Sequence, residues 1–261
     1  NSGPGAGGMS WDPEIYMKFA SERTRPAMEL LARVPLSAPR RAIDLGCGPG
    51  NSTALLAARW PKAEIEGLES SPEMLAKARS AGVRASFLEG DVESWSPSAA
   101  YDVVFSNATL HWIADHRALL PRLMGHVAPG GVLAFQVPRN FDAPSHLLMR
   151  EVAADGPWAA KLANARAVNV RTPAEYYAIL APLSRAIDIW ETTYLHVLEG
   201  DDSVLAWVSG TGLRPFVQPL DLDEREAFLS RYRARLREAY PQRADGKTLF
   251  PFQRLFVAAR K

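Results

Sequence analysis

Arg41-Ala-Ile-Asp44-Leu-Gly46-Cys47-Gly48-Pro49-Gly50-Asn51-Ser52 joins a short apolar strand, a glycine-dense turn and the start of a helix. Glycines at alternate positions let the backbone turn tightly and let a ligand lie against bare main chain. The helix that follows directs its unpaired N–H groups at whatever occupies the turn. A dinucleotide fingerprint, G-x-G-x-x-G, would place its third glycine at Asn51. The spacing here is G-x-G-x-G, led by an acidic residue two positions before the first glycine. Asp44, Gly46, Cys47, Gly48, Gly50 and Asn51 are therefore candidate ligand-binding residues. A thiol at a helix N-terminus can be reactive, but in so tight a turn Cys47 reads as a small packing residue.

Alternation continues downstream. Residues 63–68 read as a second strand, and Ser71-Pro72 as the N-cap and first position of a helix ending near Gly82. Third and fourth strands are expected at Arg84–Leu88 and Tyr101–Phe105, a helix over about 115–127 and a strand over Val132–Val137. Strands alternating with helices on this scale argue for a parallel sheet covered on both faces. Residues 139–172 read as irregular. A helix near 173–180, a strand around Arg185–Leu195, helices over 202–209 and about 221–239, and a strand at Leu255–Ala259 follow.

At 261 residues and 47% hydrophobic content, the chain can bury a full core. A formal net charge of +1 gives no global field for a nucleic-acid partner. The arginines at 231, 233, 235 and 237 spread around a helix and read as solvation. No run is long and apolar enough to span a membrane, no signal peptide is evident, and the single cysteine excludes an internal disulfide. These features lead us to expect a cytoplasmic protein with neither a nucleic-acid nor a membrane partner. The five histidines show no ligand spacing, so no metal is expected. Residues 1–8, before Met9, read as a remnant outside the fold.

The glycine turn and its leading Asp44 resemble motif I of the class I S-adenosylmethionine (AdoMet)-dependent methyltransferases. That resemblance implies a role for Glu69, at the end of the second strand, in accepting both ribose hydroxyls. Asp91 would accept from the adenine amino group while Val92 offers its backbone N–H. The backbone carbonyl of Asn107, beyond the fourth strand, would face the methionine ammonium. An ordinary loop-end acid remains the rival reading for Glu69 and Asp91.

From Met9 onward the chain is similar to the trans-aconitate 2-methyltransferase family. The residues that carry this are Trp11–Tyr16, Glu22-Arg23-Thr24-Arg25-Pro26, Asp44–Ser52, Ser106–Trp112, Gly130–Leu133, Asp155-Gly-Pro-Trp158 and Trp207–Pro215. The resemblance implies methyl transfer from AdoMet to one carboxylate of trans-aconitate, giving a monomethyl ester and S-adenosyl-L-homocysteine. Glu69 stands where aspartate is common, and glutamate serves the same diol. Arg23 is carried over as a cofactor residue. A tricarboxylate demands donors such as arginine's planar fork, and Arg23, Arg25, Arg139, Arg166, Arg171, Arg214 and Arg254 lie in segments that could approach the methyl group, with Trp158 a further substrate candidate. For each arginine an ordinary surface role stands beside the substrate role. His111 and Trp112 would shape the methyl-transfer pocket, with plain core packing open for Trp112. Trp11 and Tyr16 would form a lid or a helix-entry staple.

The expected architecture is α/β: one class I methyltransferase domain over 9–261, a mostly parallel seven-stranded Rossmann-like sheet flanked by helices. Cap elements are expected at about 10–34, 139–172 and 200–240. Two other functions stay open. One is methylation of a different acid or a phenol- or quinone-like acceptor, with His111 as base; the other is a non-catalytic AdoMet-binding protein. The oligomeric state is not readable from the sequence.

Overall fold

The computed structural model describes residues 24–165, 170–210 and 212–261. By chain contacts the protein divides into two units. The first runs to Val137 and adds Arg171–Trp190 and Phe256–Lys261; the second comprises Pro138–Val170 and Glu191–Leu255.

The first unit opens with α1 (Arg25–Ala32), β1 (Arg41–Leu45), α2 (Asn51–Arg59), β2 (Glu64–Glu69), α3 (Pro72–Ser80) and β3 (Ser86–Glu89). Next come β4 (Tyr101–Asn107), a 3₁₀ turn at Leu110–Trp112, α4 (His116–Gly125) and β5 (Val127–Pro138). The Arg59 guanidinium donates to the carbonyls of Leu31 and Val34, fastening the end of α1 to α2. Ser71 caps α3 through the Met74 N–H, with Pro72 at its first position. Asp115 caps α4 through the N–H groups of Arg117 and Ala118.

Further along are α5 (Pro144–Ala154), α6 (Ala159–Leu162), α7 (Pro173–Leu180) and β6 (Ala186–Glu199). The chain finishes with α8 (Ser203–Ser209), α9 (Arg214–Val217), α10 (Leu222–Ala239) and β7 (Lys247–Arg260). The strand order is β3-β2-β1-β4-β5-β7-β6. The pairs β3–β2, β2–β1, β1–β4 and β4–β5 are parallel. β7 runs antiparallel: Lys261 N–H donates to Gly131 at the start of β5, and Arg185 N–H, just before β6, donates to Arg260. Strand order reverses between β1 and β4, which makes their carboxyl ends the switch point where ligands of such sheets bind.

Most expected elements form, and the departures have identifiable causes. β3 begins at Ser86 rather than Arg84, and the Arg84 guanidinium donates to the carbonyls of Ala57, Trp60 and Ala63. The stretch expected to be irregular contains α5, with Pro144 in its first turn and Met149, Val152 and Ala153 buried at helical spacing. β7 starts eight residues before the expected Leu255, at Lys247, and passes through an exposed Pro251. Arg214 is the first residue of α9. Trp11, Tyr16, Arg23, Arg166 and Thr211 lie outside the described residues.

The core of the second unit is aromatic: Trp158, Phe216, Phe228, Tyr232, Phe250 and Phe252 join Met149, Val152 and Leu236 in one cluster. Two tyrosines pin the start of α5 there. The Tyr232 hydroxyl donates to the Ser145 carbonyl at 2.7 Å, and Ser145 N–H donates to the Tyr240 hydroxyl at 3.0 Å.

Candidate functional site

The glycine turn is set by backbone conformation. Gly46, Gly48 and Gly50 have φ of +70°, +54° and +93°, the left-handed region that disfavours other residues. A Cβ on Gly46 would overlap the Thr109 side chain, whereas one on Gly48 would face open space. The first glycine is thus required by close packing, and the second leaves the bare backbone on which a ligand can lie.

Asp44 is fully buried at the end of β1. Its Oδ2 accepts from Ser52 Oγ at 2.6 Å and Thr53 Oγ1 at 2.7 Å, so this carboxylate holds the first turn of α2. Its Oδ1 is buried with no hydrogen-bond partner among the described residues. Burial raises its pKa to about 6, against the lowering effect of the two hydroxyls. Asn107 Oδ1, at the end of β4, is likewise buried without a partner among the described residues. The next residue, Ala108, turns with φ +55°, a left-handed conformation for a residue with a Cβ, and donates its N–H to Gln136. A pocket of about 190 Å³ is bounded by Thr24, Ala27, the Gly46–Pro49 turn, Asn51, Ser52 and Asn107–Thr109. Two buried acceptors without donors suit a cationic group such as an ammonium.

Glu69 closes the turn from the side. One carboxylate oxygen accepts from Gly48 N–H at 2.9 Å and the other from Ser71 N–H at 2.9 Å. The oxygen facing Ser71 also accepts from the Ser70 hydroxyl at 3.4 Å, while the one facing Gly48 keeps a second lone pair, so the carboxylate is held in place and still able to accept from a ligand hydroxyl. Asp91 starts an Asx turn by accepting from Glu93 N–H, and Val92 is buried beside it. Cys47 is buried, and desolvation pushes its thiol up to about 12, which removes it as a nucleophile. The N–H groups of Gly46 and Cys47 both donate to Leu68, holding the turn against β2.

Comparisons with known proteins bear on this geometry. A family model described as a methyltransferase domain matches residues 42–131, which include the turn, Glu69, Asp91 and Asn107. A protein of Azoarcus sp. (strain BH72), named trans-aconitate 2-methyltransferase, is 51% identical over 96% of this chain and 98% of its own. One of the same name from Methylobacterium nodulans is 54% identical, with the same shares covered. The chain belongs to the trans-aconitate 2-methyltransferase family. In fold it resembles the S-adenosylmethionine dependent methyltransferase from Mesorhizobium loti, with a TM-score of 0.53 and 21% identity over 93% of this chain and 100% of that one.

Within this family member, the first unit brings together Asp44, the glycine turn, Asn51, Glu69 and Asn107. His111 is buried and Trp112 is 54% exposed, their rings 4.7 Å apart. Core packing is therefore not the role of Trp112. Arg25, on α1, is exposed and paired with Glu29 at 3.0 Å. In the second unit, Arg139 pairs with Glu191 at 2.7 Å, and Arg214 is exposed at the start of α9. The substrate contact expected of Trp158 needs correcting. Its ring is 1% exposed, packed edge-on against Phe228, and its indole N–H donates to Val152 at 2.8 Å. Trp158 is a core residue.

Other contributors carried no signal in sequence spacing. The Arg122 guanidinium donates to the Val92 carbonyl at 2.6 Å and to that of Trp95, fixing the Asp91 turn from α4. His116 is fully buried, with Nδ1 2.7 Å from the Tyr176 hydroxyl and Nε2 2.8 Å from the Leu110 carbonyl. Arg171 N–H donates to the same hydroxyl at 3.3 Å. The consistent proton arrangement is a neutral ring, Nε2–H donating to Leu110 and Nδ1 accepting from Tyr176, in line with a pKa lowered by burial. This chain anchors the turn that carries His111 and Trp112.

Proposed function

We propose that this chain transfers the methyl group of AdoMet to one carboxylate of trans-aconitate, forming the monomethyl ester. The observation that carries the reading is about half identity, over nearly the full length of both chains, to proteins named for that reaction. The cofactor cradle supports it. Glu69 would hold the ribose diol, the Asp91–Val92 turn would meet the adenine, and Asn107 with Asp44 would face the methionine ammonium. Gly48, where an added Cβ would meet nothing within 4 Å, would leave room for the methionine tail.

When bound, the cofactor supplies a methyl group on a cationic sulfur that leaves as a neutral thioether. The acceptor needs no general base, because a carboxylic acid with a pKa of ~4 is already ionised at neutral pH. With the cofactor bound, an ionised carboxylate oxygen would take the methyl group as the sulfur gives it up. Positioning is then the protein's main contribution, worth at most ~7–11 kcal/mol. His111 and Trp112 would wall the reacting centre, and arginine, through paired N–H donors, is the residue type suited to the remaining carboxylates.

Labelled AdoMet offered with trans-aconitate, cis-aconitate, citrate and isocitrate tests the reading. A base-labile labelled product from trans-aconitate, with little from the others, is the expected result. Silence across the panel with AdoMet binding intact would overturn the acid assignment. Transfer that survives His111→Ala and fails in Arg214→Ala would separate a carboxylate acceptor from one that needs a base.

A further inference from the structure

His116 is a fully buried titratable side chain, and transfer to a carboxylate needs neither an acid nor a base from it. It is the first residue of α4, and its ring reaches back to the Leu110 carbonyl at 2.8 Å. Tyr176, on α7, is fully buried as well. Its ring stacks on His116 with centroids 5.7 Å apart and stands edge-on to Phe135 of β5 at 5.3 Å. The Tyr176 hydroxyl donates to His116 Nδ1 at 2.7 Å and accepts from Arg171 N–H at 3.3 Å. Both ring nitrogens and the hydroxyl are therefore bonded, and none of them can move without leaving a buried polar group unpaired.

The other end of the same turn is fixed separately. Thr109 Oγ1 donates to the Gly46 carbonyl at 3.1 Å, and its side chain fills the space that a Cβ on Gly46 would need. Residues 109–112 are thus fastened to the glycine turn on one side and to α4 and α7 on the other, all within the first unit. The turn's own backbone supplies two bonds, Trp112 N–H to Thr109 at 3.1 Å and Ile113 N–H to Leu110 at 3.0 Å. A single turn of this tight geometry does not fix its own place in a fold. Where His111 and Trp112 stand relative to the glycine turn is set by these outside partners.

We infer that Tyr176 and His116 are positioning residues for methyl transfer: acting through the Leu110 carbonyl, they set where the His111–Trp112 wall stands against the glycine turn. This rests on the methyl-transfer reading above and adds to it the residues that align the acceptor side of the site. Thr109 keeps its hold on Gly46 when the far end is loosened, so the cofactor cradle stays intact and alignment alone is lost. A misplacement of about 1 Å is enough to cost on the order of 100-fold in rate.

Tyr176→Phe tests this in the full-length protein, since it keeps the ring and removes only the hydroxyl. Tyr101→Phe is the matched control: Tyr101 is also buried, but its hydroxyl meets Glu66 at the opposite end of β4 from Asn107. In Tyr176→Phe, kcat with trans-aconitate should fall about 10- to 100-fold, with KM moving less than kcat. AdoMet affinity by calorimetry should be unchanged, and the amides of Trp112 and Ile113 should exchange with solvent about tenfold faster. Tyr101→Phe should lose stability without a fall in kcat or faster exchange at those amides. His116→Gln, whose amide can still donate to the Leu110 carbonyl, should keep most of the kcat that His116→Leu loses. Unchanged kcat in Tyr176→Phe, with an active wild type, would overturn the inference. So would an equal fall in Tyr101→Phe, which marks general destabilisation, or equal losses in His116→Gln and His116→Leu. A wild type that does not methylate trans-aconitate, with faster exchange still seen in Tyr176→Phe, would instead overturn the underlying function.

Discussion

The glycine turn of the first unit and the aromatic cluster of the second reach rigidity by opposite routes. Gly46 to Ser52 is shaped by its own backbone, with three residues in left-handed conformations and one carboxylate holding the helix start. Trp158, Phe228 and Tyr232 lie far apart in sequence from Phe250 and Phe252 and hold one another by shape. In the first region a short motif specifies both structure and chemistry. In the second, no short stretch specifies the packing. The contrast teaches that a cofactor cradle can be local, whereas the rest of a methyltransferase must be read from packing.

Removing the Trp158 ring should have the largest effect on stability. Trp158→Ala is expected to lose ~3–5 kcal/mol by denaturant titration, while AdoMet affinity of the folded fraction stays at the wild-type value. A change in that affinity would mean the cluster also sets the cradle. Gly46→Ala probes the other route. Strain at positive φ together with overlap on Thr109 should cost about 2–5 kcal/mol and abolish AdoMet binding with it. Stability lost with binding retained would break the claim that the turn unites structure and chemistry.

Asp44 sharpens the comparison through pH. Its pKa is raised on folding, so the unfolded chain gives up the proton first, and its contribution is complete below about pH 4 and lost as pH rises through about 6. A shift of that size corresponds to at most about 3 kcal/mol. The ligand-free protein should therefore lose stability across that window, and Asp44→Asn should flatten the profile in urea titrations at several pH values. An unchanged profile would remove Asp44 as the source. The smallest effect is expected at the surface of the second unit, where Arg235 meets Glu151 at 2.6 Å with both side chains about half exposed. Arg235→Ala should change stability by ~0–1 kcal/mol and leave turnover unaltered. A larger loss would place the arginines of α10 in the fold rather than in solvation.

Much of the first unit was legible because its signals are short-range. Ser71-Pro72 announces α3 by capping chemistry, and Asp44, the glycines, Glu69 and Asn107 stand at strand ends that alternation marks. α5 was missed although Met149, Val152 and Ala153 have helical spacing, because Pro144 and Gly156-Pro157 read as breaks. Pro144 in fact begins the helix, a position where its missing N–H costs nothing. Trp158 was misassigned for a different reason: an aromatic beside Gly-Pro looks the same in sequence whether it faces a ligand or a core.

The sequence by itself determined the strand–turn–helix with its acid, the parallel run of strands β1 to β5 and the residue types a methyl donor needs. Those follow from backbone sterics and periodicity, which act over a few residues. Only the tertiary structure decided that Arg122 braces the Asp91 turn and that His116 and Tyr176 anchor the His111–Trp112 turn. Burial and hydrogen-bond satisfaction depend on which distant side chains arrive at the same place, and no local pattern encodes that.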